Sequence, residues 1–171
     1  MQLPSFYALT LWIHILAACL WVGGLWFFVL ALLPALRREV SITERMHLIK
    51  VVGHRFRVVG WISLFTLLLS GSVILWFRGI EWAHLFSSSF WHGTFGKVLA
   101  LKLFMYVLVV AFSGLHDFVL GPQATTALRS QPDSTNAQRL RRWTGLVGRA
   151  NGLLSLLIIF LAIMLVRGWS W

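Results

Sequence analysis

The stretch FYALTLWIHILAACLWVGGLWFFVLALLPALRR, residues 6–38, holds no Asp, Glu, Lys or Arg until its final two positions. A helix rises about 1.5 Å per residue, so about 20 predominantly apolar residues cross a bilayer. This run exceeds that length and predicts a transmembrane helix over about residues 6–36, stopped by Pro34 and the Arg37-Arg38 pair. Three more runs qualify outward from it. One covers about residues 58–77 and one about residues 97–120, where Gly121-Pro122 forms a helix stop. The last covers about residues 146–166. No strand-like alternation of apolar and polar residues occurs. The expected class is an all-α integral membrane protein, a four-helix bundle forming one membrane domain over residues 1–171.

Composition agrees. Of 171 residues, 58% are hydrophobic and only 12% charged, where a soluble domain carries about 25%. The ten tryptophans suit a membrane–water interface. The formal net charge of +10 sits beside the apolar runs rather than on a soluble face, so it is read as topology and not as a nucleic-acid surface. The connection 37–57 carries Arg37, Arg38, Arg45, Lys50, Arg55 and Arg57, and the connection 121–145 carries Arg129, Arg139, Arg141 and Arg142. Between the second and third runs stand only Arg78 and Lys97. The positive-inside rule then puts the first and third connections in the cytoplasm and both termini on the periplasmic side of an inner membrane. The start MQLPSFYALT lacks a basic n-region, which predicts no cleavable signal peptide. The single cysteine, Cys19, excludes a disulfide or a Cys-x-x-Cys metal site.

Two helices are expected to extend past the bilayer. SITE, residues 41–44, fits a capping box and starts helix two near Ile42, giving 42–77. Thr135 to Gln138 has similar spacing ahead of helix four, giving 136–166. SQPDSTNAQ, residues 130–138, reads as a surface loop. No internal repeat or low-complexity segment stands out.

Ionisable residues inside a membrane are costly and point to function, with a partner to be named. They are His14 in helix one, His54 leading into helix two, Lys102 and His116-Asp117 in helix three, and Arg149 with Asn151 in helix four. From the rise per residue, His14 lies roughly 12 Å and Lys102 roughly 8 Å below the outer surface, and His116 roughly 21 Å deeper than Lys102. Two polar layers result, His14 with Lys102 outside and His54 with His116 inside. Paired nitrogen ligands on facing helices suit haem iron. Ala17, Ala18, Gly23, Gly24, Gly71 and Gly114 would admit a flat macrocycle, with Trp21, Phe104 and Tyr106 along it. Asp117 suits the free ring nitrogen of a ligating histidine. Each residue also has a plainer role. His14 can hydrogen-bond a neighbouring helix, Lys102 can snorkel to the interface, and His54 can meet headgroups among Arg55 and Arg57. His116 with Asp117 can clamp Arg149 or Asn151. His84 and His92, in EWAHLFSSSFWHG, suit the interface, with His92 an alternative outer ligand.

IHILAACLWVGGLWF (13–27), RFRVVGWISLFTLLLSG (55–71) and FGKVLALKLFMYVLVV (95–110) resemble the copper-resistance protein D superfamily. The shared pattern is His followed by Trp-x-Gly-Gly, an Arg-Phe start to the next helix, and Lys-Leu in the third. More distantly the chain is similar to HemJ-type protoporphyrinogen oxidases, four-helix membrane proteins that bind haem b. That resemblance implies haem-linked roles for His14 and Lys102 and a histidine near His116. VLALLPALRR (29–38) stands where those relatives carry an arginine and a further histidine. The expectation is a b-type haem protein, with one or two haems, passing electrons to a quinone or a redox partner subunit. An oxidoreductase role stays open. The alternatives are a copper or small-cation permease and a cofactor-free anchor subunit of a larger complex or homo-oligomer.

Overall fold

The computed structural model describes residues 3–39, 41–130 and 134–167. Of the described residues 95% are helical, and none is in a strand. Helix α1 (Leu3–Phe27) widens into a π-helical segment (Phe28–Leu32) and continues as α2 (Leu33–Glu39). Helix α3 (Ile42–Phe77) follows, then two short helices, α4 (Trp82–Phe86) and α5 (Ser88–His92). Helix α6 (Thr94–Gly114) passes through a second π segment (Leu115–Leu120) into α7 (Gly121–Ser130). Helix α8 (Thr135–Arg167) completes the order. Among the described residues four stretches are long and apolar enough to cross a membrane: Ser5–Leu36, His47–Phe77, Thr94–Leu128 and Thr135–Arg167. Their large side chains stand open to the surroundings, Phe27 at 62%, Leu30 at 67% and Ile62 at 62% exposure. Water would not tolerate so much apolar surface, and lipid does. The protein is a multi-pass membrane protein.

Ser41 caps α3 as expected. Its hydroxyl accepts from the Glu44 amide at 3.3 Å and donates to the Glu44 carboxylate at 2.6 Å. At the far end Gly79 takes φ +76°, with Ile80 N–H on the Leu75 carbonyl and Gly79 N–H on that of Trp76. That is a Schellman stop, which favours glycine in the left-handed region. The cap of α8 is Ser134, one residue before the expected Thr135, accepting from the Ala137 amide at 3.2 Å. Of the expected loop 130–138, residues 131–133 lie outside the described residues, and the rest is helical apart from Ser134.

Neither proline ends its helix, contrary to the sequence expectation. Pro34 lies inside α2, and Pro122 lies inside α7, which runs on to Ser130. A proline in an α-helix strikes the carbonyl four residues back and leaves it unbonded. Here each proline follows two residues after a π segment. Leu33 N–H bonds to the Phe28 carbonyl and Gly121 N–H to that of His116, both five residues back. The widened turn moves the obstructing carbonyl aside and the helix continues. A methyl group on Gly121 would stand 2.9 Å from the His116 carbonyl oxygen, a close approach that glycine avoids.

The chain divides into two compact units, Met1–Phe86 and Ser87–Trp171. In the first, α1 packs antiparallel on α3, and in the second, α6 packs antiparallel on α8. The two hairpins repeat one another. A shift of 92 residues carries the contact of Gly24 with Phe56 onto the contact of His116 with Gly148. The same shift carries Arg-x-x-Gly-x-x-Ser-Leu at 57–64 onto the same pattern at 149–156. Its glycine and serine are buried in both copies: Gly60 and Ser63, then Gly152 and Ser155. The sequence expectation of no internal repeat is therefore corrected. The matched positions are few and spaced along a helix face, which conceals them in a linear reading.

Candidate functional site

In the first unit, His14 faces α3. Its Nδ1 lies 2.8 Å from Ser70 Oγ, and the Ser70 hydroxyl donates to the Thr66 carbonyl at 2.5 Å. The serine proton is thereby spent, so His14 Nδ1–H is the donor to Ser70 Oγ. The ring rests where α3 offers no side chain, since a methyl on Gly71 would stand 3.4 Å from His14 Cε1. Trp21 is 5% exposed and packs into the same α1–α3 seam, with a methyl on Gly60 falling 3.7 Å from its Cδ1.

The second unit holds a similar arrangement at a different level, since the 92-residue shift carries Gly24 and not His14 onto His116. His116 and Asp117 lie in the π segment Leu115–Leu120. His116 Nδ1 is 3.0 Å from Asp117 Oδ1, with side-chain exposures of 39% and 20%. The carboxylate accepts from Nδ1–H, which leaves Nε2 as the outward ring nitrogen. That atom points at α8, 4.0 Å from where a methyl on Gly148 would stand. Both histidines thus have Nδ1 tied by a neighbouring oxygen and the ring set against a glycine of the paired helix.

Asn151 is 7% exposed and donates from Nδ2 to Ser113 Oγ at 2.9 Å, while its Oδ1 is buried with no hydrogen-bond partner. It therefore clamps Ser113 rather than His116. Arg149 is exposed on α8. Lys102 is half-buried in α6, in contact with its surroundings, and stands roughly 21 Å along the helix from His116. His54 is exposed on α3, roughly 24 Å along the axis from the Ser70 level that His14 meets. Neither unit brings its own two nitrogen groups to one point. His92, exposed at the end of α5, donates from Nδ1 to the Ser88 carbonyl at 2.7 Å, and His84 Nδ1 accepts from the Glu81 amide at 3.1 Å. Among the described residues, no three His, Cys, Asp or Glu side chains converge as a metal cluster.

Ser70, Ser113 and Gly148 were not legible as site residues, and Gly71 was legible only as room for a flat macrocycle. They are small or hydroxylic residues in apolar runs, and only the pairing of the helices gives them roles. The π segment around His116 has a partial signal in hindsight, a proline close behind a polar pair.

A family model described as copper resistance protein D matches residues 50–168, a span that includes His54, Lys102, His116 and Asn151 but not His14. The chain is similar to an uncharacterized protein of Aquifex aeolicus (strain VF5), 29% identical over 162 residues that cover 94% of this chain and 96% of the relative. No solved structure matches.

Proposed function

The chain belongs to the copper resistance protein D family, and on that premise we propose that it is a membrane permease for copper, with His116 as a principal donor to the passing ion. The observation that carries this reading is the His116–Asp117 pair. A ligating histidine almost always gives its other ring N–H to a carboxylate, carbonyl or water, which fixes the tautomer and raises ligand basicity. The 3.0 Å contact with Asp117 supplies that arrangement, and Gly148 leaves space at the donor nitrogen. His14, tied by Ser70, is proposed as a second stopping point, and the half-buried Lys102 as the cationic group of the second unit. Imidazole and carboxylate suit copper ions that are not held by sulfur. The basic connections argue for an inner-membrane orientation with both termini periplasmic.

The test is copper uptake into proteoliposomes holding the purified full chain. His116→Ala and His14→Ala are each expected to lower uptake at least tenfold. An unchanged rate in the double variant would overturn the permease. Haem b at His14, Lys102, His54 and His116 has its own signature in the same preparation. Soret and α bands in dithionite-reduced protein, lost on the same substitutions, would replace copper passage by electron transfer.

A further inference from the structure

We propose that Ser113 and Asn151 form a binding site for one water molecule in the α6–α8 seam, and that this water passes on to copper held at His116. The second part rests on the function proposed above.

Two unused groups meet there. The Asn151 amide donates to Ser113, which leaves Asn151 Oδ1 as a buried acceptor without a partner. The Ser113 hydroxyl is equally anomalous. Thr10, Ser70, Ser72, Thr125, Thr144 and Ser155 each donate their hydroxyl to a carbonyl of their own helix. Ser113, 8% exposed, accepts from Asn151 and donates to no group among the described residues. An idle acceptor and an idle donor therefore share one buried place. In a membrane no bulk solvent compensates them. A water both donates and accepts and is the usual occupant of such a place, making about 3 hydrogen bonds. The amide and the hydroxyl are neutral, so the pair offers no charge to hold a bare ion.

The first unit shows what stands at the corresponding place. The 92-residue shift carries Trp21 onto Ser113, Gly60 onto Gly152 and Val59 onto Asn151. In the first unit the Trp21 indole fills the seam against Gly60, and Val59 faces outward at 42% exposure. In the second unit a hydroxymethyl group replaces the indole, and a buried amide turns inward in place of the outward valine. Polar groups stand where the first unit has apolar filling. These groups lie one helical turn from the metal donor: Ser113 precedes His116 by three residues, Asn151 follows Gly148 by three, and the two helices run antiparallel, about 5 Å per turn.

Asparagine occurs only at 136 and 151, with Asn136 exposed, so side-chain carbonyl labelling of asparagine reads the site directly. In water-edited solid-state NMR of the full chain in bilayers, polarisation from water is expected to reach both asparagines. Transfer to Asn136 alone would overturn the site. Ser113→Ala keeps both labels and is expected to weaken transfer to Asn151 severalfold while Asn136 is unchanged; undiminished transfer would remove Ser113 from the site. Added copper(II) sulfate is expected to broaden the Asn151 signal. His116→Ala should abolish that broadening and leave the water transfer intact. Broadening that survives in His116→Ala would overturn the link to His116. Absence of copper uptake in every chain, with the water signal present, would count against the permease and leave the water site standing.

Discussion

His14 and His116 are held alike although their partners differ. One Nδ1 is tied by the Ser70 hydroxyl at 2.8 Å and the other by the Asp117 carboxylate at 3.0 Å. The carboxylate matters more, because it also stabilises positive charge arriving at the ring. Asp117→Asn keeps the shape but exchanges the acceptor for a group that can also donate, so the tautomer is no longer fixed. Copper affinity measured by uptake at graded concentrations is expected to fall about 10- to 100-fold. A change under twofold would mean that Asp117 serves another partner. Gly24 has a different importance. A methyl there would overlap the Phe56 ring, and overpacking of this kind typically costs about 1–3 kcal/mol. Gly24→Ala is expected to lower resistance to unfolding in detergent by that amount, with copper uptake at His116 retained.

At the scale of the element, the π segments decide how the helices end. The Leu115–Leu120 segment presents His116 and carries the helix through Pro122. Removal of one residue, for example Val119, should return the turn to α geometry and bring Pro122 beneath the carbonyl four residues back. The expected result is a chain that still inserts its four spans, seen by protease protection, while copper uptake falls to background. Uptake at the original rate would show that the widened turn plays no part in presenting His116. The same deletion in Phe28–Leu32 should disturb α2 and leave His14 in place, since His14 lies nearly four turns before that segment.

The whole molecule is built from two repeated hairpins, each with its own antiparallel packing. Separate expression of residues 1–86 and 87–171 is therefore expected to give two protease-protected, two-span fragments. Failure of either to insert would show that the units depend on one another. The distribution of arginine and lysine sets a second expectation at this scale. Alkaline phosphatase fused at either terminus should be active, and a fusion in the 121–145 connection inactive. The reverse pattern would invert the orientation.

Length and apolar character alone determined the helical class and the four spans. A bilayer admits little besides helices for chains of this kind, and their length is fixed by its thickness. The Ser41 cap was legible for a similar reason, because both of its hydrogen bonds lie within four residues. The ionisable residues were legible as candidates because charge in hydrocarbon is rare. Their partners were not. His14 meets Ser70 across 56 residues and Asn151 meets Ser113 across 38, and nothing in the sequence around either serine marks its distant partner. The passage of both prolines through their helices, the repeat of the two hairpins and the glycine niches beside the histidines depend on which face of one helix meets which face of another. Only the packed structure decides that, because the side chains concerned are too small to mark a face by themselves.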